Sequence, residues 1–157
     1  MTKPLDIEAL RAEFLNTVFD EKQFEVTAVD MSNYAVSCGE LAPRYTDPND
    51  PDFQAPPTMA TCFQPKTRRP KGFPKIAGLG MDAGKAVHSY KPIRAGVQMT
   101  GKTHMHDIYT KTGRSGRMVF FVNRMDIFDA EGEQLAWADT SVVIREKPDA
   151  SERRGDS

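Results

Sequence analysis

Three long strand-like stretches in the second half of the sequence limit the possible folds most strongly. They are Val97–Tyr109, Met118–Phe128 and Gln134–Arg145. In the first and last, side chains of one kind recur at every second position, and the middle one is strongly apolar. A period of two is typical of β-strands, whose successive side chains point to opposite faces of a sheet. Glycine-containing turns at Thr112–Gly116 and Asp129–Gly132 join the three stretches. The sequence therefore predicts antiparallel strands.

A further strand, Lys85–Lys91, precedes them and is ended by Pro92, so we predict a meander of about four strands. The alternation also assigns the side chains of the second strand to faces. Val97, Met99, Thr103, Met105 and Tyr109 share one face, and Gln98, Thr100, Lys102, His104 and His106 share the other. The last strand has a face of mostly small side chains, Ala136, Ala138, Thr140, Val142 and Ile144. Such a face would let a helix approach the sheet closely.

Two amphipathic helices are predicted in the first half of the chain, with a short strand at 24–27 between them. The first spans residues 5–19, has Asp6 as a possible N-cap, and places Ile7, Leu10, Phe14 and Val18 on one stripe. The second follows Thr27 or Asp30 as N-cap, ends near Gly39, and presents Met31, Tyr34, Ala35 and Cys38 on one face. We expect this second helix to lie against the sheet.

The segment between the helices and the strands, residues 43–84, contains most of the chain's 11 prolines. Prolines at this density exclude long helices and central strands. A short helix can begin at Pro57 and reach Phe63, because proline suits the first turn of a helix. Helices followed by a loop and then by consecutive strands indicate the α+β class.

Charge and composition exclude several classes of function. The net charge of −1 gives no field that would recruit nucleic acid, and no apolar run is long enough to span a membrane. The N-terminus lacks an apolar signal core, and Cys38 and Cys62 have no metal-binding spacing, so we expect reduced thiols in a cytoplasmic protein. His104 and His106 could bind a metal, but their polar face favours exposure to solvent. We expect no metal and no cofactor.

Several runs of the sequence resemble one family, the MaoC-like hot-dog dehydratases. The runs are Val87-His-Ser-Tyr-Lys-Pro-Ile-Arg-Ala-Gly96, Asp107-Ile-Tyr-Thr-Lys-Thr-Gly-Arg-Ser-Gly116, Val119-Phe-Phe-Val122, Asp129-Ala-Glu-Gly-Glu133 and Ala55-Pro-Pro-Thr58. They are most similar to the non-catalytic half of two-part members, either the N-terminal dehydratase-like domain or the accessory subunit of a heteromeric (R)-specific enoyl hydratase. The resemblance covers roughly residues 24–146.

This resemblance implies a hot-dog fold, in which a curved antiparallel sheet wraps around a central helix. Pro57–Phe63 then becomes a rival of Asp30–Cys38 for the central position. The chain would consist of an N-terminal amphipathic helix in residues 1–20, the hot-dog domain in residues 21–146 and a disordered polar tail in residues 147–157. Hot-dog domains work in pairs, so we expect a dimer or a larger assembly.

Catalytic members of the family carry the motif Gly-Asp-x-Asn-Pro-x-His, whose Asp and His activate the water that adds to an enoyl thioester. The matching run here is Gly39–Tyr45, in which Glu40 replaces the Asp, Ala42 replaces the Asn and Tyr45 replaces the His. A phenol, with an unperturbed pKa of about 10, exchanges protons poorly near neutral pH. The resemblance therefore implies degenerate catalytic positions and no catalytic residue of this chain's own.

The resemblance also suggests which residues meet a ligand, an acyl-CoA or acyl-carrier thioester. Room for the acyl group would come from Pro57, Thr58, Met59 and Phe63, and phosphate contacts from Lys66, Arg68, Arg69 and Lys71, with Lys75 nearby. Alternatively, these charges only keep the loop solvated. A catalytic MaoC-like subunit would supply the chemistry of an enoyl-CoA hydratase or 3-hydroxyacyl dehydratase in lipid metabolism.

Two other functions stay open. One is a homodimer that binds an acyl thioester or a lipophilic ligand without catalysis. The other is a thioesterase that uses Glu40.

Overall fold

Within residues 5–114 and 116–146, which the computed structural model describes, the chain forms one curved five-stranded sheet with short helices packed around it. The helices are α1 (Ile7–Phe14), α2 (Ala28–Ser37), α3 (Pro43–Thr46) and a 3₁₀ helix (Pro57–Cys62). The strands are β1 (Val18–Phe24), β2 (Gly78–Ser89), β3 (Met99–Gly113), β4 (Gly116–Phe128) and β5 (Gln134–Glu146). The predicted α+β class is confirmed.

The sheet is antiparallel throughout, in the order β1-β3-β4-β5-β2. The last three strands form a meander as predicted, but the prediction was wrong for β2, which pairs with β5, and it missed most of β1. The segment between β2 and β3 is too long for a hairpin and crosses one end of the sheet. The backbone N–H groups of Tyr90 and Lys91 donate to the carbonyl of Leu135, at 2.8 and 3.1 Å. The N–H of Gly96 donates to Val26 at 2.9 Å.

A β-bulge at His106 shifts the alternation of β3. Met99, Thr103 and Met105 are buried on the inner face, the face that carries the core, as predicted. The pairing register shifts between Met105 and Asp107, so the extra residue reverses the phase beyond it. Ile108 therefore lies on the inner face and is fully buried. Tyr109, predicted for the inner face, instead stacks on Phe120 with ring centroids 4.8 Å apart.

Helix α1 is shorter than the predicted span of 5–19. The side chain of Asp6 caps it by accepting from the N–H of Ala9 at 3.1 Å, and Leu10 and Phe14 are buried as expected. The helix ends after Phe14 because Asn16 adopts a positive φ of 61° and donates its N–H to the carbonyl of Met105 at 2.9 Å. Val18 therefore leaves the predicted stripe and belongs to β1.

Helix α2 begins and ends where the sequence predicts. Thr27 caps it by accepting from the N–H of Asp30 at 3.1 Å, and Gly39 terminates it with a φ of 75°. Met31 and Ala35 are fully buried. Cys38 is exposed rather than packed, because it lies just past the last helical residue, Ser37.

The 3₁₀ helix, rather than α2, packs directly on strands β2 and β5. Its residues Met59 and Ala60 are buried in the core, which also contains Met31 of α2 and Ala136 and Ala138 of β5. Small side chains on β5 make this close approach possible, as the sequence indicated. The rival segment, Pro57–Phe63, therefore holds the position nearest the sheet, and α2 covers its flank: the Tyr34 hydroxyl donates to Thr58 Oγ1 at 2.9 Å.

Two predictions fall wholly or partly outside the described residues: the polar tail at 147–157 and Ser115 within the turn between β3 and β4. The division of the chain at residues 20 and 146 stays a prediction. No helix in the described part of the chain is long and apolar enough to cross a membrane.

One glycine of β3 allows strands and core to approach closely. A Cβ built on Gly101 would lie 2.8 Å from Met125 Sδ and 3.2 Å from a ring carbon of Phe24. We expect Gly101→Ala to lower the free energy of unfolding by about 1–3 kcal/mol through overpacking, measured by urea denaturation. The control is Gly80→Ala, since a Cβ there would meet no atom closer than 4.0 Å. Equal stabilities of the two variants would contradict this packing.

Asp20 fastens the loop that covers the inner face, residues 63–69, which we call the roof loop. The Asp20 side chain is buried, and its two oxygens accept from the N–H groups of Lys66 at 3.1 Å and Thr67 at 2.8 Å. We expect Asp20→Ala to lower the free energy of unfolding by about 2 kcal/mol. It should also speed tryptic cleavage within the roof loop. The exposed neighbour in β1, Glu21→Ala, is the matched control, and similar cleavage of both variants would contradict the role of Asp20.

Candidate functional site

A cavity of about 550 Å³ lies between the roof loop and the inner face of the sheet. Every strand except β1 contributes to its wall. The lining residues are Phe63, Gln64, Pro65, Arg68 and Arg69 of the roof loop; Gly80, Met81, Asp82 and Lys85 of β2; Thr103 of β3; Phe121, Asn123 and Met125 of β4; and Ala138, Thr140 and Val142 of β5. Its size is in the range of small-molecule sites in proteins.

The cavity exists because the inner face of the sheet is covered by a helix at one end and by an irregular loop beyond it. The 3₁₀ helix covers one end of the inner face and stops at Cys62. Beyond it the chain continues as the irregular roof loop, while the facing strands offer small side chains such as Ala138, Thr140 and Gly80. Helix α1 packs further along the same face, against residues such as Met105 and Ile108, and no helix in the described part of the chain fills the space between, so a gap stays open.

The roof loop is tied to the sheet at three separate points. Besides the two bonds to Asp20, the side-chain amide of Asn123 donates to the carbonyl of Arg68 at 2.9 Å. The ammonium group of Lys22 donates to the carbonyl of Gln64 at 2.6 Å. These ties involve backbone groups of the loop, so its side chains remain available for other contacts.

The floor of the cavity is apolar, and basic side chains are among those that line the rest of its wall. Phe121 and Met125 are buried and form part of the floor. Three cations, Arg68, Arg69 and Lys85, line the cavity, against a single carboxylate. Within the described residues, none of the three forms an ion pair. An arrangement of this kind suits a ligand with an apolar part and a negatively charged part.

Polar atoms at the floor are left without protein partners. Thr103 Oγ1 and Asn123 Oδ1 are buried and have no hydrogen-bond partner among the described residues. Buried polar atoms are nearly always satisfied, so each unsatisfied one calls for an explanation. Together with the unpaired cations, they make the cavity a candidate binding site.

Three of the eight predicted ligand-binding residues line the cavity: Phe63, Arg68 and Arg69. The other five do not line it. Pro57 begins the 3₁₀ helix, Thr58 bonds Tyr34, Met59 is buried in the core, Lys66 offers its backbone to Asp20, and Lys71 is exposed. The binding role of all eight stays a prediction.

Sequence reasoning missed the contributions of the strands, namely Lys85, Asn123 and Thr140. A signal for them existed, because polar residues at inward positions of otherwise apolar strands are unusual. The sequence assigned Thr103 to the correct face but gave it no role. Neither the cavity nor its depth follows from the alternation alone.

The degenerate catalytic positions lie outside the cavity wall. Glu40 Oε1 accepts from the backbone N–H groups of Leu41 at 3.0 Å and Ala42 at 3.1 Å, so this carboxylate caps its own turn. Tyr45 lies in α3, where the Arg44 guanidinium is 5.4 Å from its ring centroid. No hydrogen bond links Glu40 to Tyr45 within the described residues.

All three histidines of the chain pack against other rings away from the cavity. His88 stacks on Trp137 with ring centroids 5.9 Å apart. His104 lies 5.6 Å from His106 and 3.4 Å from a carboxylate oxygen of Asp126, so it is more covered than the predicted solvent exposure implied. The described residues contain no group of three or more side chains that could hold a metal ion.

Next to His88, the outer face of the sheet carries a tight ion pair. Arg124 donates two hydrogen bonds to Asp139, at 2.7 and 2.9 Å, and its guanidinium lies 3.8 Å from the Trp137 ring centroid. The bond to Asp139 raises the pKa of Arg124 above its usual value. This cluster fixes β4 against β5 on the face opposite the cavity.

Several solved structures are similar to the chain. A MaoC-like dehydratase from Phytophthora capsici is 21% identical with a TM-score of 0.68, covering 90% of this chain and 50% of that one. The ChsH1-ChsH2 complex from Mycobacterium tuberculosis is 15% identical with a TM-score of 0.63, covering 91% and 90%. The HadBC (3R-hydroxyacyl-ACP dehydratase) complex from the same organism is 15% identical with a TM-score of 0.56, covering 77% and 90%.

The chain therefore spans half the length of the Phytophthora structure. No curated protein matches it in sequence. The family model described as the FAS1-like dehydratase domain region matches residues 13–138, a range that includes the whole of β1, β2, β3 and β4 and the beginning of β5. The chain belongs to the FAS1-like dehydratase domain region family and has the fold of the MaoC-like hot-dog dehydratases.

Proposed function

We propose that this chain is the accessory half of an enoyl-thioester hydratase or 3-hydroxyacyl dehydratase. It would bind part of an acyl-CoA or acyl-carrier thioester, while a catalytic hot-dog partner supplies the proton-transferring groups. The proposal rests on the family, which consists of dehydratase regions, and on the contents of the cavity.

The observation that carries the proposal is a large cavity without an imidazole. Hydration of an enoyl thioester requires one group to take a proton from water and another to deliver a proton to carbon. A histidine does this well near neutral pH. Here the cavity wall contains none, since His88, His104 and His106 all lie elsewhere. The cavity is therefore better suited to holding an acyl group than to transforming it.

The surroundings of Glu40 and Tyr45 support the same conclusion. Glu40 Oε1 already accepts two backbone hydrogen bonds from the turn that it caps, so this oxygen is occupied by the protein's own backbone. Tyr45 has no carboxylate or imidazole hydrogen-bonded to its hydroxyl in the described part of the chain. A phenol in that state is a poor general base.

The exposed edge of β2 offers a place for the partner. Strand β2 lies at one end of the sheet, and on its open side no described strand pairs with it. Leu79 on this strand is 67% exposed. An unpaired edge strand is a template for pairing with another chain. Because Gly80, Met81 and Asp82 of β2 also line the cavity, a partner docked there would lie beside the bound ligand.

The similar structures include assemblies of two parts. The ChsH1-ChsH2 and HadBC structures are described as complexes, and the Phytophthora dehydratase is about twice as long as this chain. By analogy, the catalytic half would be a separate chain or a further domain. The fold alone does not identify which acyl group is bound.

A second candidate function is a homodimer that binds an acyl thioester or lipophilic ligand without catalysis. The cavity fits this function equally well, and the β2 edge could pair with a second copy. The two candidates differ in whether a partner with an intact Asp/His motif restores hydration.

We expect the purified chain alone to hydrate crotonyl-CoA or longer enoyl-CoAs at no measurable rate, and the complex with a catalytic partner encoded next to it to be active. In that complex, Glu40→Gln and Tyr45→Phe should leave kcat almost unchanged. Loss of a working acid or base would instead cost about 10²–10⁴-fold. The rate of hydration, followed by loss of the enoyl absorbance, is the measurement. Strong activity of the chain alone, abolished by either substitution, would refute the accessory role.

We expect Leu79→Lys to weaken association with the partner, or with a second copy, by about tenfold or more, because a charge would be buried at the paired edge. Analytical ultracentrifugation measures the dissociation constant. Val18→Lys is the matched control, since Val18 is 49% exposed on β1, at the opposite edge of the sheet. If Val18→Lys weakens association and Leu79→Lys does not, the partner binds at β1 instead.

A further inference from the structure

Arg69 differs from the other basic residues of the proline-rich segment in its surroundings. Lys66, Arg68 and Lys71 are exposed, whereas Arg69 is half-buried and lines the cavity. Its guanidinium lies 5.0 Å from the ring centroid of Phe121 and 5.2 Å from that of Phe73. Phe121 is 2% exposed, so the cation reaches down to the apolar floor.

No described group balances the charge of Arg69. It forms no ion pair, and its guanidinium donates no hydrogen bond, to any residue in 5–114 or 116–146. Asp82, the one carboxylate in the cavity wall, accepts instead from the N–H of Gly84 at 2.7 Å. Burial lowers the pKa of Arg69, and no nearby acidic group offsets this effect.

A half-buried cation without a partner is costly. Buried charges are normally paired or hydrogen-bonded. The two aromatic rings attract the guanidinium, but they do not accept the hydrogen bonds that its N–H groups donate in the guanidinium plane. The guanidinium has five N–H donors arranged in a fork that matches the two oxygens of a carboxylate or phosphate. Lys85 and Arg68 line the same cavity and add to the positive charge. An anion that enters the cavity would supply the missing partner.

We propose that Arg69 binds an oxyanion of the ligand inside the cavity, and that the ligand is an acyl thioester with a negatively charged group within reach of the apolar floor. This inference rests on the proposed function. The oxyanion has two possible sources with the same chemistry: a carboxylate on the acyl group or a phosphate of the carrier.

Three probes of equal chain length separate these sources. Octanoyl-pantetheine has no negative charge, suberoyl-pantetheine adds a terminal carboxylate, and octanoyl-CoA adds phosphates. Their dissociation constants are measured by isothermal titration calorimetry, with the chain alone and in complex with its partner. Arg69→Gln removes the cation and Arg69→Lys retains it. Arg145→Gln is the matched control, because Arg145 is exposed on β5 and does not line the cavity.

The wild-type protein is expected to bind at least one charged probe about 10–100-fold more tightly than octanoyl-pantetheine. Arg69→Gln should abolish this preference and leave octanoyl-pantetheine bound as before, whereas Arg69→Lys keeps part of it and Arg145→Gln keeps all of it. A preference for suberoyl-pantetheine identifies an acyl carboxylate, and one for octanoyl-CoA identifies a phosphate. The melting temperature of each variant, expected to be unchanged or higher for Arg69→Gln, shows that it is folded.

Two results would overturn the inference and are distinguishable. If octanoyl-pantetheine binds as tightly as both charged probes and Arg69→Gln changes none of the affinities, Arg69 only packs on the rings, and the proposed function survives. If none of the three probes binds to the chain or to the complex, the proposed function fails and the inference fails with it.

Discussion

The pairing register of β3, β4 and β5 decides which side chains reach the inner face of the sheet. Asn123 pairs with Met105 on one side and with Thr140 on the other, and Met125 pairs with Thr103 and Ala138. These pairs bring polar and small side chains together at the centre of an otherwise apolar surface. A shift of one residue would turn them outward and replace them by their charged neighbours. The cavity and the packing of the core therefore both depend on this register.

The extended meander could be predicted because its signals are local. An apolar run identified β4 and alternation identified β5, both almost to their ends, and glycine marked the turn after β4. The pairing of β2 with β5 could not be predicted in the same way. It depends on a crossing segment whose contacts, such as Gly96 to Val26, join residues far apart in the chain. The end of α1 was missed for a related reason, since Asn16 leaves the helix to bond Met105 in β3.

The candidate site was only partly predictable, because a cavity is space that the packed side chains leave unfilled, and this space cannot be read from the sequence. The basic residues of the roof loop were visible in the sequence, but the ties that hold its backbone come from residues far away in the chain, such as Asp20, 46 positions before Lys66. Which of the basic side chains faces inward therefore does not follow from the sequence of the loop. Thr103 and Asn123 could have been noticed as polar residues at inward positions. Their lack of partners becomes visible only in three dimensions.

The short 3₁₀ helix explains why this fold contains a cavity. A helix of six residues covers only part of a sheet whose longest strand has 15 residues, about 50 Å at the rise of an extended strand. Helix α1 covers a further part, around Met105 and Ile108, and the part between is closed by irregular chain, which packs less completely than a helix. Space for a ligand is thus found beyond the end of the short central helix. The positions that match the catalytic motif lie elsewhere, beyond the end of α2, where Glu40 caps its own turn and Tyr45 belongs to α3, outside the cavity wall. Because a catalytic acid and base must be held within reach of the ligand, this separation is the physical reason to propose catalysis on the other half of a pair.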